Sequence, residues 1–171
     1  IYHVKTTDGR MLKVADLVCC LDLNSAKRTD EMADALVASP AKKVLIDHHP
    51  DPDVETTLCI SHPEMSSTCE LVFRIVWQMG LFDVMGKHFA VPVYCGMMTD
   101  TGGFTFNSNN PEIFYIISQL LTKRINKDKI YRNVYHNYSE HRLRMVGHVL
   151  CNCLTVDDKR HAAYYTLTRG D

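Results

Sequence analysis

The chain has 171 residues, of which 46% are hydrophobic and 23% charged, and its formal net charge is −1. This composition is typical of an ordinary globular chain of one to two domains with a substantial core. The near-neutral charge excludes the global basic field of a protein that coats long nucleic acid, so we expect no long duplex as a partner. No stretch approaches the length of a transmembrane span, and we expect no membrane partner.

Strand-like and helix-like patterns alternate from residue 16 onward. The run DLVCCL at residues 16–21 predicts a buried strand that ends at Asp22. A helix is predicted over residues 25–38, with four apolar side chains on one face: Met32, Ala33, Leu36 and Val37. Val44, Leu45 and Ile46 predict a second strand that is buried on both faces, and residues 57–60 predict a short third strand.

A second helix is predicted after Ser66, Ser67 and Thr68, each of which can cap its amino terminus. Gly80 is expected at its carboxyl end, and its inward face would carry Leu71, Val72, Ile75, Val76 and Met79. The order strand, helix, strand, strand, helix predicts an α/β fold with a doubly wound, mainly parallel sheet and flanking helices.

The remaining elements of the main domain are less regular in sequence. Residues 84–100 allow a buried helix or a strand, and a helix that begins near Pro92 or kinks there is the favoured interpretation. Thr7-Asp8-Gly9 is typical of a hairpin turn. The run NNPEIFYIISQLL predicts a helix that begins with a capping asparagine and Pro111, and its core stripe is Ile113, Ile116, Ile117, Leu120 and Leu121.

The composition becomes basic after residue 122. Only Asp128 and Glu140 balance the basic side chains, which are Lys123, Arg124, Lys127, Lys129, Arg132, Arg142 and Arg144. A solvated helical face explains such runs more often than a binding patch does. The run LTVDDKRHAAYYTLT then predicts a β-hairpin around residues 157–160. We therefore predict a main domain over residues 1–125, linker helices over 126–150 and the beginning of a smaller second α/β domain over 151–171.

Three metal-capable side chains follow the second predicted strand in VLIDHHPDP, residues 44–52. Taken alone, an ordinary polar turn explains this run as well as a functional site does. In parallel α/β sheets, however, ligands bind just beyond the carboxyl ends of the strands, where Asp47, His48 and His49 fall. If the chain stays extended, Asp47 and His49 point one way and His48 the other. One imidazole could then bind a metal while the other faces a substrate.

A second polar cluster stands in MMTDTGGFTF, residues 97–106. Asp100 precedes Thr101, Gly102 and Gly103, whose backbone amides could converge on an anion, although a plain glycine turn is the simpler explanation of this run alone. Together with Asp22 and the triplet at residues 47–49, it supplies the carboxylates and imidazoles that a dinuclear site for divalent ions requires. Mixed oxygen and nitrogen ligands favour manganese, and phosphate-ester hydrolysis is the usual work of such sites.

The seven cysteines contain no CxxC pair. Most lie inside apolar runs, which is typical of buried free thiols in a reducing cytosol and predicts a cytoplasmic location: Cys19, Cys20, Cys59, Cys69 and Cys95. The spacing of Cys151 and Cys153 fits a strand with both thiols on one face. No second pair exists to complete a zinc site.

Four runs, in order, resemble the motifs of a known family, the DHH phosphoesterases. ADLVCCLDLN resembles the second motif, VLIDHHP the third, SSTCELV the helix that follows it, and DTGGF the fourth. The chain is most similar to the two-domain nanoRNase (oligoribonuclease)/pAp-phosphatase branch, which is sometimes labelled exopolyphosphatase-related. In that branch a DHH domain is followed by a smaller, DHHA1-like substrate-binding domain.

The resemblance implies a role for each candidate residue. Asp22 would bridge two metal ions, and His48 and Asp100 would bind one of them. His49 would face the scissile phosphate, stabilising its charge or relaying a proton, while Asp47 would orient an imidazole. The substrate-binding amides would be those of Thr101, Gly102 and Gly103.

Two departures from the family pattern affect what is expected of this chain. Nothing before Asp22 has the pattern of the first motif, a His and two Asp residues, and the glycine-rich motif of the second domain is absent. We therefore expect an internal portion of a longer enzyme that is inactive by itself.

The resemblance implies hydrolysis of short oligoribonucleotides, of 3′-phosphoadenosine 5′-phosphate (pAp) or of both, by metal-activated water. Two Mn²⁺ ions are expected in the full-length enzyme, with Mg²⁺ and a homodimer as open alternatives. A non-catalytic nucleotide-binding or assembly module is the alternative for the chain as given. Pyrophosphatase, polyphosphatase and cyclic-dinucleotide phosphodiesterase activities rank lower.

Overall fold

The computed structural model of the chain describes residues 10–168, which divide into two compact units between Lys127 and Asp128. The hairpin turn predicted at residues 7–9 lies outside the described residues. The first unit contains the sheet and most of the helices, and the second contains two helices and a hairpin. The predicted domain limits at residues 125 and 150 stay predictions.

A parallel sheet of three strands forms the centre of the first unit, in the order β1-β2-β3. The strands are β1 (Leu17–Leu21), β2 (Lys42–Asp47) and β3 (Leu58–Ser61). Leu45 in the middle strand is fully buried and pairs with Cys20 of β1 and Cys59 of β3. The burial predicted for β1 is wrong, because Cys20 is its one buried residue while Leu17, Cys19 and Leu21 are exposed. The predicted α/β fold with a parallel sheet and flanking helices is confirmed, and all three carboxyl ends lie at one edge.

The helices of the first unit are α1 (Arg10–Val14), α2 (Ala33–Val37), α3 (Thr68–Gln78), α4 (Lys87–Asp100) and α5 (Pro111–Thr122). Two 3₁₀ segments, Ala26–Met32 and Phe82–Val84, precede α2 and α4. Among the described residues, no helix is both long enough and apolar enough to cross a membrane.

The helix predicted over residues 25–38 is divided in the structure. Asp30 has φ 49°, which interrupts the helical geometry between the 3₁₀ segment and α2. Leu36 packs in a core cluster with Cys20, Ala26 and Leu45, but Val37, predicted on the same helical face, is exposed. All four apolar side chains of the predicted face follow this break, and among them Leu36 alone is buried.

Helix α3 begins where the serines predict it. The side chain of Ser67 accepts a hydrogen bond from the Glu70 backbone amide at 3.0 Å. Leu71 and Phe73 are buried, whereas Met79 lies beyond the last turn and is exposed, contrary to prediction. Phe73, absent from the predicted face, stacks on Trp77 with ring centroids 5.5 Å apart.

Helix α4 settles the ambiguous residues 84–100 as a helix, but it begins at Lys87 and contains Pro92 in its interior. It packs against α3 so closely that a Cβ on Gly96 would collide with the Sγ of Cys69. Helix α5 begins as predicted, because the Asn110 side chain accepts from the Glu112 amide at 3.0 Å. Its buried stripe is Ile113, Ile116 and Leu120, while Leu121 is partly exposed.

The second unit contains α6 (Lys127–Tyr135), α7 (Glu140–His148), a π-helical turn (Val149–Cys153) and two antiparallel strands. The strands β4 (Leu154–Asp157) and β5 (Ala162–Tyr165) confirm the predicted hairpin. Cys151 and Cys153 lie in the π-helical turn rather than in a strand, which corrects that expectation. All seven cysteines are free, but only Cys20 is fully buried, and Cys19 and Cys59 are exposed.

Candidate metal centre

Asp22 occupies the first position after β1. Its backbone has φ 62°, the left-handed region that aspartate and asparagine adopt more readily than other side chains with a Cβ. The Asp22 amide donates to the Ile46 carbonyl at 3.1 Å, and its Oδ1 accepts from the Thr68 hydroxyl at 2.9 Å. These bonds hold a half-exposed carboxylate at the carboxyl edge of the sheet.

His48 follows β2 and faces that carboxylate. Its Nδ1 lies 3.3 Å from the Met65 carbonyl oxygen, which can only accept, so the Nδ1 of the neutral ring carries the proton. The Nε2 lone pair is then directed towards two carboxylates. It lies 3.6 Å from Asp22 Oδ1 and 3.8 Å from Asp100 Oδ2. Two carboxylates around one ring nitrogen favour positive charge at this point, which a proton on Nε2 or a cation between the three groups can supply.

His49 is held by Asp47, the residue at the end of β2. Asp47 is fully buried, and its Oδ1 accepts from the His48 amide at 2.9 Å and lies 2.7 Å from His49 Nδ1. Because an ionised carboxylate accepts only, the Nδ1 of His49 carries the proton and its Nε2 is left for a ligand. Within the described part of the chain, Asp47 Oδ2 is the buried side-chain oxygen without a hydrogen-bond partner.

The two imidazoles do not diverge as an extended chain would require. Their ring centroids are 4.7 Å apart, and His49 Nδ1 lies 3.9 Å from the same Asp22 oxygen that His48 approaches. The extended geometry of β2 ends at Asp47, so the alternation of side chains does not continue through His48 and His49. Both rings therefore contribute to one cluster.

Asp100 ends α4 and brings a second negative charge to the cluster. Burial raises the pKa of its carboxyl above the ordinary value, and the neighbouring Asp22 charge raises it further, while His48 and His49 act to lower it. The carboxyl end of a helix also carries partial negative charge, which favours cations. The electrostatics of this edge therefore favour a bound cation.

The geometry fits a divalent ion. Ligand atoms that share an ion with bonds of about 2.1 Å stand at most about 4.2 Å apart. The separations of 3.6 and 3.8 Å between His48 Nε2 and the carboxylate oxygens of Asp22 and Asp100 are longer than hydrogen bonds and within that limit. One ligand atom from each of Asp22, His48 and His49 lies within 4.8 Å of the other two. Asp100 belongs to the same cluster because its Oδ2 lies 3.8 Å from His48 Nε2. The assignment of His49 to substrate and Asp100 to metal stays a prediction.

The glycines after Asp100 have a structural use. Gly102 and Gly103 have positive φ, and their amides donate to the carbonyls of Thr99 at 3.2 Å and Met98 at 2.7 Å. This pattern is a Schellman motif, which ends α4. Because both amides are already engaged, the pattern does not support their predicted role in binding substrate, and that role stays a prediction. Thr101 is fully buried, and its hydroxyl donates to the Met97 carbonyl at 2.7 Å.

Sequence reasoning missed two contributors to the cluster. The Met65 carbonyl orients His48, and a backbone atom leaves no signal in a residue pattern. Thr68 was considered only as a helix cap, yet its hydroxyl contacts Asp22 from 46 positions away along the chain.

Comparison with known proteins identifies the fold family. Residues 1–97, more than half of the chain, match the DHH family, N-terminal domain. The chain belongs to the DHH family. This confirms the resemblance drawn from its motifs, and the triplet Asp47-His48-His49 lies inside the matched region. The nanoRNase/pAp-phosphatase branch stays a prediction.

Similar proteins span more residues than this chain. The crystal structure of an exopolyphosphatase-related protein from Bacteroides fragilis is 52% identical with a TM-score of 0.90, covering 95% of this chain and 47% of that chain. An uncharacterised protein of Mycoplasma pneumoniae is 32% identical over 92 residues, which are 54% of this chain and 28% of the relative. A Mycoplasma genitalium protein, also uncharacterised, is 28% identical over the same fractions. The chain thus spans less than half the length of these relatives.

Proposed function

We propose that the protein containing this chain is a metal-dependent phosphoesterase. One observation carries the proposal: the Nε2 of His48 faces the carboxylates of Asp22 and Asp100 at 3.6 and 3.8 Å. Membership of the DHH family, a family of metal-dependent phosphoesterases, supports the same conclusion. Asp22, His48 and Asp100 would hold the ion, preferably Mn²⁺, with His49 as a further ligand or a substrate contact.

The residues divide the work of phosphate-ester hydrolysis. Divalent ions bound at the cluster would neutralise the charge of the phosphate and lower the pKa of a water molecule. His49, with its Nδ1 proton held by Asp47, directs Nε2 outward, where it can accept a proton or, once protonated, stabilise negative charge on the phosphate. Thr68 and Ile46 keep Asp22 in place through their hydrogen bonds.

We propose short oligoribonucleotides and pAp as the substrates. The net charge of −1 gives little general attraction for long polyanions, whose binding rests on many phosphate contacts. Polyphosphate is the second candidate, because the Bacteroides fragilis protein that is 52% identical is described as exopolyphosphatase-related. The same hydrolytic chemistry can cleave nucleotides and polyphosphate. The preference between these two substrate classes therefore depends on side chains that recognise a nucleoside.

The test is a substrate series with the full-length protein that contains this chain. After removal of metal by chelation, kcat/KM is measured with Mn²⁺ or Mg²⁺ for di- to decaribonucleotides, pAp, a cyclic dinucleotide and polyphosphate. We expect Mn²⁺ to restore the most activity and the shortest oligonucleotides or pAp to be preferred. A preference for polyphosphate or long strands would overturn the substrate proposal alone. Activity that survives chelation would overturn the metal-dependent mechanism.

A further inference from the structure

Glu70, in the first turn of α3, is a carboxylate that is only 1% exposed. A buried charge is costly unless it is paired and hydrogen-bonded. Its Oε2 accepts from the Ser66 amide at 3.0 Å and from the Ser66 hydroxyl at 2.6 Å. Its Oε1 accepts from Arg74 Nε at 3.0 Å and from a terminal nitrogen of Arg74 at 2.7 Å. Each oxygen therefore accepts two donors.

Ser66 belongs to the loop that orients His48. The preceding residue, Met65, supplies the carbonyl that accepts from His48 Nδ1 at 3.3 Å. The start of this loop is tied to the sheet, because the His62 amide donates to the Asp47 carbonyl at 3.0 Å. Its end is held by the two bonds from Ser66 to Glu70. The carboxylate thus fixes the peptide that determines which nitrogen of His48 is protonated.

We propose that Glu70 is a positioning residue for the metal centre, acting through Ser66 and the Met65 carbonyl to keep the His48 Nε2 unprotonated and directed at Asp22 and Asp100. The inference rests on the metal-dependent function proposed above. Groups that hold the second nitrogen of a metal-binding histidine fix the tautomer and the orientation of the ring, and their loss weakens metal affinity.

The simpler explanation of Glu70 is a helix cap. Ser67 and Glu70 have the spacing of a capping box, in which the third helical residue reaches back to the cap amide. Here, however, the carboxylate bonds to Ser66, the residue before the cap, through both the amide and the hydroxyl. A capping role alone would change the stability of the protein and leave the tautomer of His48 unchanged.

The variant Glu70→Gln tests the proposal with almost no change in shape. An amide has one accepting oxygen, so its NH₂ group must face either the Ser66 donors or the Arg74 donors. Glu112→Gln is the matched control, because it makes the same change in the other carboxylate that accepts from Arg74, at 2.6 Å and on the exposed side. Ser66→Ala is a milder second variant that removes only the 2.6 Å bond.

Two readouts are taken on the full-length protein. The first is the tautomer of His48 in metal-free protein, from imidazole ¹⁵N chemical shifts assigned by their loss in His48→Ala. The second is the affinity for Mn²⁺ alone, by calorimetry. We expect Nδ1-protonated His48 in the wild type and in Glu112→Gln. In Glu70→Gln we expect a mixture with the Nε2-protonated form and about 10- to 100-fold weaker Mn²⁺ binding. Ser66→Ala should change both in the same direction, less strongly.

The outcomes separate the two proposals. An unchanged tautomer and an unchanged Mn²⁺ affinity in folded Glu70→Gln would overturn the positioning role and leave the metal-dependent function standing. If Glu70→Gln does not fold, the same two measurements on Ser66→Ala decide. Failure of the wild type to bind Mn²⁺ would overturn the proposed function, whereas the tautomer readout would still report whether Glu70 positions His48.

Discussion

Asp47 Oδ1 lies 2.7 Å from His49 Nδ1, and Asp47 is fully buried while the His49 side chain is 30% exposed. The pair therefore joins a carboxylate that water does not reach to an imidazole that a substrate can reach. Asp47 also accepts from the His48 amide, so one oxygen of one residue holds both members of the histidine pair. This arrangement makes Asp47 a determinant of histidine geometry without direct contact with substrate.

Replacing Asp47 by asparagine should lower kcat more than it lowers metal affinity. The amide keeps one oxygen for the His48 and His49 donors but removes the charge that stabilises a protonated His49. We expect kcat to fall about 10- to 100-fold, as is typical when such supporting groups are lost. Steady-state kinetics and Mn²⁺ calorimetry on the same preparation provide the measurement. Unchanged kcat in a folded variant would contradict the role given to Asp47.

Asp22→Asn should abolish activity and weaken Mn²⁺ binding with little change in stability. Asparagine tolerates the left-handed backbone at φ 62° and keeps an oxygen that can accept from Thr68. We expect the free energy of unfolding to change by about 0.5 kcal/mol or less. Asp22→Ala is the comparison, because alanine in this conformation should cost about 1 kcal/mol more. Unchanged metal affinity and turnover in Asp22→Asn would remove Asp22 from the site.

Alanine substitutions should separate the adjacent histidines. His48→Ala removes the Nε2 that faces both carboxylates, so we expect Mn²⁺ affinity to fall strongly. His49→Ala should leave at least one ion bound and lower kcat, because its proposed action is on the charge of the substrate. Calorimetry and kinetics on both variants make the comparison. Equal loss of metal from the two variants would show that both imidazoles are ligands.

Cys69 should be the slow thiol in an alkylation experiment. Burial raises the pKa of its thiol to about 11 from an ordinary value of 9.0, and the charges of Asp100 and Asp22 add to the rise. The thiolate is the reactive form, so at pH 8 Cys69 should react with iodoacetamide more slowly than the exposed Cys59, by about 10-fold or more. Peptide mass spectrometry over time measures both rates, and equal rates would contradict the burial of Cys69.

The same pKa shift has a consequence for stability. Between pH 9 and about 11 the folded protein binds more protons at Cys69 than the unfolded chain does. The free energy of unfolding therefore has its full contribution from Cys69 below pH 9 and loses it as pH rises through this range. Cys69→Ala should reduce that decline in denaturant titrations. If the free energy of unfolding falls equally in the wild type and in Cys69→Ala, a group other than Cys69 causes the fall.

Gly96→Ala should destabilise the packing of α3 against α4. The added Cβ would collide with Cys69 Sγ, and overpacking of this kind costs about 1–3 kcal/mol. Gly147→Ala in α7 is the control, because nothing lies within 4 Å of its added Cβ and a helical glycine-to-alanine change is favourable by about 0.5–1 kcal/mol. Thermal unfolding of both variants and of Gly96→Ala with Cys69→Ala provides the test. Cys69→Ala removes the Sγ but leaves the Cβ at 3.0 Å, so we expect it to restore part of the lost stability, and no restoration at all would assign the clash elsewhere.

The sequence by itself determined the three strands, the capped starts of α3 and α5, and the placement of Asp22 and the DHH triplet at strand ends. These features follow from local causes, because a short apolar run favours an extended strand and an orphan helix amide needs a nearby acceptor. The same local information identified the family, since its motifs are contiguous in the chain.

Only the tertiary structure decided how the site residues face one another. His48 and His49 converge on Asp22 because the extended strand β2 ends at Asp47. The His48 ring is also held by the carbonyl of Met65, which lies 17 positions after His48 in the chain. The amides of Gly102 and Gly103 bond to carbonyls of α4 and end that helix. The sequence alone could not distinguish this helix end from an anion-binding loop. Pairing between distant positions depends on backbone atoms and on the packing of whole elements, and neither leaves a periodic trace in the sequence.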